Sequence, residues 1–443
     1  MKKILLPLLI VCFQTSIAQQ PDRLFSPEEL KADADYYFKM LYSNHPDPYY
    51  YYPLSEFEDK KNEIYAQLDR PMTKEQFAWI IGEVNSLVDI HSAVSFLGAQ
   101  DIELEKMSLF PIVRIREDKL FLADNLNGDI TEINGIAVSD ILSDCRKYFN
   151  WKLPYEPNIR LLESWLNVFF FYKYKFTAPY QIKLRNSNSI QTIKGISLDE
   201  ILQRDGLFSN IRGMKKKDLY NDSLKVYSYI IYPKSSAAIL YIPTFSEKRG
   251  DEFQKTLQEF TEKVNDLCIK YIFYDLSNNN GGTDIGEEKA LDIVKHDTIY
   301  LKLNRIDRVD GFNEKYNVNA IMLLPNFGCN IPPYRKLFVF QGLITLSAAD
   351  NFCRIIADNK LGILVGDNTG EPTTAFTNTS SYRMPNTQIV FLCATKWVDY
   401  SDYFHSETLH PDIYWDINHN REFTEKELNE IIQYDKEHTQ IQK

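Results

Sequence analysis

Three stretches of this chain hold residue types that could act together as nucleophile, base and anion cradle. The first is Phe338-Val339-Phe340-Gln341-Gly342-Leu343-Ile344-Thr345-Leu346-Ser347-Ala348-Ala349-Asp350-Asn351-Phe352, an apolar run that stops at a serine and continues with helical spacing. Ser347 is thereby placed at a strand-to-helix junction, where a hydroxyl can project past a sheet and the first helical N–H groups are open to an anion. The plainer use of a serine there is as an N-cap. The second is Asp89-Ile90-His91-Ser92, just past a helical pattern, where the negative end of the helix dipole favours a protonated imidazole. Its plainer use is to satisfy the helix C-terminus. The third is Asn278-Asn279-Asn280-Gly281-Gly282, a turn at the end of an apolar strand. Glycine lets backbone approach a substrate closely and lends it N–H donors, although the same turn also serves as an ordinary βα loop. His45, in Asn44-His45-Pro46-Asp47-Pro48, reads as part of a loop.

The elements that must position these residues can be read from periodicity. Between Thr73 and Val88, Phe77, Ile80, Ile81, Val84 and Leu87 form one apolar helical face, and Thr73 with Gln76 makes a capping box. From Phe110 to Ile196 the chain shows short β-prone runs, an Asn134-Gly135 hairpin turn and a helical Ser139 to Tyr148. Beyond Lys225, strands at Ala237 to Phe245, Lys270 to Leu276, Lys336 to Phe340, Leu361 to Val365 and Gln388 to Ala394 alternate with helices at Asp251 to Leu267, Asp284 to Val294 and from Ser347. This alternation argues for an α/β fold with a mostly parallel sheet, whose sites form at the carboxyl ends of strands. Ser347 and the glycine turn both lie at such ends. The expected divisions are a leader at 1–18, a helical region at 19–97, a β-rich subdomain at 98–200, a linker at 201–224, the core at 225–420 and a C-terminal helical tail at 421–443.

With 443 residues, 44% hydrophobic and 25% charged, the composition is that of a globular chain with room for more than one core. A net charge of −11, with Lys215-Lys216-Lys217 as the only basic run, argues against a nucleic-acid surface. Lys2-Lys3, the apolar Ile4 to Phe13 and the small residues Ser16 and Ala18 form the pattern of a secretory signal peptide. Export to a periplasmic or extracellular space is expected, with no transmembrane segment. Cys145, Cys268, Cys329, Cys353 and Cys393 lack the paired spacing of a zinc site or a disulfide framework, and Cys268 and Cys393 read as core fillers.

Taken in order, Asp-x-His-Ser, the Ile-Asn-Gly turn, Asp275-Leu276-Ser277 with the glycine turn, Thr345-Leu346-Ser347-Ala348-Ala349-Asp350, Gly366-Asp367-Asn368-Thr369-Gly370 and His410-Pro411-Asp412-Ile413 resemble the S41 family of serine peptidases. The resemblance runs from about Leu41 to Ile413. It implies a crotonase-like α/β core and a PDZ-like insertion around Thr131 to Leu142. It also implies Ser347 as nucleophile, His91 as general base, and N–H groups at Gly281, Gly282 and Ala348 as the oxyanion hole. The chain departs from the family pattern at several positions. Asp350 replaces a glutamate, Ser277 an arginine and Ile90 a serine, while Pro372 occupies the place of the lysine base used by one branch. Proline cannot accept a proton, so a histidine base is expected, oriented by Asp89, Ser92, Asp402 or Glu407. No metal or organic cofactor is implied. The expected substrate is a peptide or unfolded protein, and the alternative is an inactive protein of the same fold that binds a peptide or hydrophobic ligand.

Overall fold

The computed structural model describes residues 23–94, 107–187, 189–198, 200–201, 226–294, 299–309, 311–322, 335–417 and 422–441. The leader pattern and the linker from 202 onward lie outside these residues. After a two-residue strand at Leu24–Phe25, which pairs with Met72–Thr73, the N-terminal region holds three helices: α1 (Pro27–Asn44), α2 (Leu54–Gln67) and α3 (Lys74–Gly82). The predicted capping box at α3 is present, with Thr73 and Gln76 bonding each other's backbone N–H groups. After Gly82 the α-helix tightens into a 3-10 turn over Glu83–Ser86, which ends the element short of the predicted Val88.

The next unit contains an antiparallel sheet of β1 (Val113–Arg116), β2 (Lys119–Leu122), β3 (Asn125–Ile133), β4 (Tyr180–Leu184) and β5 (Ile190–Ile193), adjacent in that order. Asn134 and Gly135, both at positive φ, make the predicted turn, and α4 (Val138–Arg146) follows it. The unit is less purely β than expected, because α5 (Tyr155–Val168) supplies Ile159, Leu162 and Leu166 to its core.

The core is a six-stranded sheet. In chain order its parts, together with those of a second sheet, are β6 (Ser228–Tyr232), β7 (Ala237–Tyr241), α6 (Gly250–Asp266), β8 (Tyr271–Asp275), α7 (Asp284–Val294), β9 (Ile299–Val309), β10 (Phe312–Met322), β11 (Lys336–Gln341), α8 (Ala348–Asp358), β12 (Ile363–Gly366), β13 (Thr374–Arg383), β14 (Val390–Asp399), β15 (Ile413–Tyr414) and α9 (Glu425–Ile441). The main sheet has the order β15-β12-β11-β8-β7-β6 and is parallel except at β6, as the alternation of strands and helices required. Its central strands are buried on both faces, which is why they read as unbroken apolar runs. Ala238, Leu240, Tyr274 and Val339 face α6 and α8, packing on Phe253, Leu257 and Phe352. Ala237, Ile239, Phe273, Phe338 and Phe340 face the other way, onto Phe423, Leu428, Ile431 and Ile432. The C-terminal segment is therefore a packed layer and not a tail.

Residues 388–394 are a second correction. They belong to β14 in a separate antiparallel sheet of order β10-β9-β14-β13, not to the parallel set. The N-terminal helices pack on this sheet, with Tyr37, Phe38 and Phe77 in one core with Met384, Ile389, Phe391 and Cys393. Cys145, Cys353 and Cys393 are buried, but Cys268 is exposed at a left-handed position after α6 and fills no core. Among the described residues no helix is long and apolar enough to cross a membrane, and no cluster of His, Cys, Asp or Glu could hold a metal ion.

Candidate active site

Ser347 stands at the residue before α8, yet its hydroxyl does not cap the helix. Its backbone has φ 54° and ψ −127°, a conformation costly for a side chain with a β-carbon and worth about 1–3 kcal/mol of strain. The loop that imposes this bend is tied on both sides. The Gly342 N–H donates to Thr345 Oγ1 at 2.9 Å, Thr345 Oγ1 donates to the Leu276 carbonyl at 3.0 Å, and the Leu346 N–H donates to the Asn279 carbonyl at 3.2 Å. The Ser347 hydroxyl lies 3.4 Å from Thr377 Oγ1 on β13.

The glycine loop closes against the serine. A Cβ on Gly281 would stand 2.7 Å from Ser347 Cβ and 2.8 Å from the Leu346 carbonyl oxygen, and Gly281 has φ +97°. Only glycine fits there. Its own N–H already donates to Asn279 Oδ1 at 2.8 Å, so Gly281 provides room and not the expected oxyanion donor. The N–H groups of Gly282 and Ala348 make no hydrogen bond among the described residues and are the donors left.

His91 arrives on a loop pinned at several points. Asn85 brackets Val94 with bonds of 3.0 and 2.8 Å, Ser92 Oγ accepts the Ala394 N–H at 2.9 Å, and the Leu392 N–H donates to the Ala93 carbonyl at 2.9 Å. The segment thus rides on β14 beside Ser347. Asp89 accepts the His91 N–H at 2.8 Å through Oδ1, and His45 Nε2 lies 2.9 Å from Asp89 Oδ2. Asp89 carries the opposing effects of its site. Burial pushes its carboxyl up, but the hydrogen bond from His45 and the two neighbouring imidazoles outweigh that and hold it below the usual carboxylate value.

The residue that joins serine and histidine is Glu371, for which the sequence suggested no role. Its carboxylate accepts the Ser347 N–H at 3.0 Å and takes His91 Nε2 at 3.0 and 3.1 Å. Burial acts to lower the His91 pKa, but the Glu371 carboxylate, by charge and hydrogen bond, and then Asp89 raise it to about 9. Glu371 is itself anchored from behind. Arg354, fully buried, bonds the Glu371 carbonyl and Thr373 Oγ1 at 3.4 Å each, and is paired with Asp350 at 2.6 Å. Burial raises Asp350 to about 6, with Arg354 opposing and Glu371 adding to the rise. Asp350 therefore acts on the site through Arg354.

Of the other sequence candidates, Asp402 is exposed and bonds Asn304 at 2.9 Å, and Glu407 is exposed and engages Thr373 only through its carbonyl. Neither is brought to His91. Ser92 holds β14. Ser277, at the position of the family arginine, is buried and folds its hydroxyl onto Asp275 at 2.5 Å.

Strain at a serine persists only where its surroundings over-determine it, and here it takes the hydroxyl off the helix end and the N–H onto the carboxylate that holds the histidine. A serine, a histidine and a carboxylate are thereby brought together on an α/β sheet at the carboxyl end of a strand. Residues 236–415 match the model of peptidase family S41. Among solved structures, mature CPAF complexed with lactacystin is 14% identical at TM-score 0.50, covering 88% of this chain and 94% of that one. A serine-to-alanine mutant of CPAF is 12% identical at TM-score 0.53, covering 88% and 93%. The photosystem II D1 C-terminal processing protease is 10% identical at TM-score 0.44, covering 88% and 93%. At these identities the likeness to CPAF is one of fold. No curated protein matches the chain.

Proposed function

We propose that this chain is an exported serine endopeptidase that hydrolyses peptide bonds through an acyl-enzyme on Ser347, with His91 as base and Glu371 as the carboxylate that orients it. The observation that carries this reading is the single Glu371 carboxylate engaging both the Ser347 N–H and His91 Nε2. Ser347 Oγ attacks the scissile carbonyl carbon and gives its proton to a neutral His91. The oxyanion takes N–H bonds from Gly282 and Ala348, and His91 returns the proton to the leaving amine. Water then releases the acyl group by the same route. In the resting geometry the hydroxyl is on Thr377, so its rotation to the imidazole comes before attack. The same reading takes the main sheet as a crotonase-like core, β1–β5 with α4 as a PDZ-like insertion, and the basic-apolar N-terminus as an export signal to a periplasmic or extracellular space.

One observation favours a second reading, that of a binding protein of the same fold: His91 is held as an imidazolium by Glu371, and in that form cannot accept a proton. A fluorophosphonate probe separates the two readings. The peptidase labels on Ser347 and the Ser347→Ala variant does not. Absence of labelling in the wild-type protein, or labelling that survives in the variant, refutes the assignment.

A further inference from the structure

His45 lies in a Pro- and Tyr-rich segment that reads as surface loop, but it is 2% exposed and sits behind the site. Its two ring nitrogens have fixed roles. Nδ1 accepts the Asp47 N–H at 3.1 Å, so Nε2 carries the hydrogen that goes to Asp89 Oδ2 at 2.9 Å. The other oxygen of Asp89 accepts the backbone N–H of His91 at 2.8 Å. One face of the His45 ring packs on Phe376, centroids 4.4 Å apart, and Phe376 precedes the Thr377 that touches the Ser347 hydroxyl.

The segment carrying His45 is gripped from the core. At the tip of the β9–β10 hairpin, Arg308 donates to the carbonyls of Ser43 at 3.1 Å and Tyr42 at 3.3 Å, and Asn313 Nδ2 donates to the Pro46 carbonyl at 2.8 Å. The hairpin therefore sets where His45 stands relative to the second sheet, and His45 sets where Asp89 and the His91 backbone stand relative to the same sheet.

We infer that His45 and Asp89 are a positioning pair for His91, holding its loop in the register that brings the imidazole to Glu371 and Ser347. Asp89 does this from two sides: it bonds the His91 backbone, and its negative charge faces the imidazole. Removing the His45 donor takes away the bond at Asp89 Oδ2 in a buried carboxylate and loosens the carboxylate's hold on the His91 N–H. The inference rests on His91 serving Ser347, but one of its measurements does not depend on catalysis.

The test uses the intact chain and three variants: His45→Phe, His45→Gln and Asp89→Asn. The rate of fluorophosphonate labelling at Ser347 is expected to fall about 10- to 100-fold in His45→Phe, as for a small displacement of a catalytic group. In His45→Gln, which keeps a side-chain donor, it is expected to recover to within about threefold of wild type. The His91 imidazole titration, followed by NMR, is expected to shift down by about one unit in Asp89→Asn, because a facing carboxylate is lost while Glu371 remains. A structural filler at 45 would not distinguish Phe from Gln by donor, nor would an Asp89 that only closed the loop move the His91 titration. Equal labelling in wild type and His45→Phe, or an unmoved His91 titration in Asp89→Asn, overturns the positioning role. If Ser347 does not label at all, the proposed peptidase reading fails and the titration still decides this one.

Discussion

The pairing of His91 with Glu371 sets stability and activity against each other across pH. In the folded chain His91 titrates at about 9, above the unfolded value of roughly 6.5. A raised histidine contributes stability that is fully present below about 6.5 and is lost as pH climbs through the folded value. The base form needed for attack grows over the same window. Labelling of Ser347 should therefore accelerate as pH rises from 7 toward 9 while the thermal midpoint declines. Glu371→Gln removes the largest of the influences that raise His91, so the rise should move to lower pH. A wild-type labelling rate that stays flat between pH 6 and 9 would rule His91 out as the base, and a variant profile that overlays the wild type would remove Glu371 as the cause.

At the scale of elements, the elbow before α8 and the glycine loop after β8 are built as a pair. Gly281→Ala would press a methyl group to 2.7 Å from Ser347 Cβ at φ +97°, so either the loop or the serine must move. Labelling should drop about 100-fold with the far-UV circular dichroism spectrum unchanged, as a local misplacement of reacting groups predicts. Wild-type labelling in that variant would take the loop out of the site. These two elements were legible in the sequence because each couples an apolar strand to a break in its pattern, and the capping box at Thr73 was legible because both partners lie within one turn. The second sheet was not. β13 reads Thr-Ala-Phe-Thr-Asn-Thr-Ser-Ser-Tyr-Arg, too polar to stand out, and its pairing with β14 is a matter of register and not of local pattern. Glu371 is an acidic residue before a proline, and only the fold brings it to a histidine 280 residues earlier. His45 stayed hidden for the opposite reason: prolines and tyrosines advertise a surface loop, and the hairpin that buries it comes from far along the chain.

At the scale of the whole molecule, the site is a junction of three bodies: the main sheet gives Ser347 and Gly282, the N-terminal helices give His91, and the second sheet carries both neighbours into place. Its rigidity rests on the main sheet being covered on both faces. The covering on one face is α9 with the segment just before it: there Phe423 stacks on Phe340 with centroids 4.0 Å apart and planes 5° from parallel, and Asp435 of α9 pairs with Lys336. Ending the chain after Ile417 would uncover Ile239, Phe273, Phe338 and Phe340 together. At about 1.5–3 kcal/mol for each large apolar side chain returned to water, the loss is comparable to the roughly 5–15 kcal/mol that holds an ordinary domain folded. The truncated protein should be insoluble, or should lack a cooperative urea transition, and should not label at Ser347. If it stays soluble, unfolds cooperatively and labels at the wild-type rate, α9 is a dispensable appendage and the two-faced burial of the main sheet is not what keeps the serine elbow in its strained conformation.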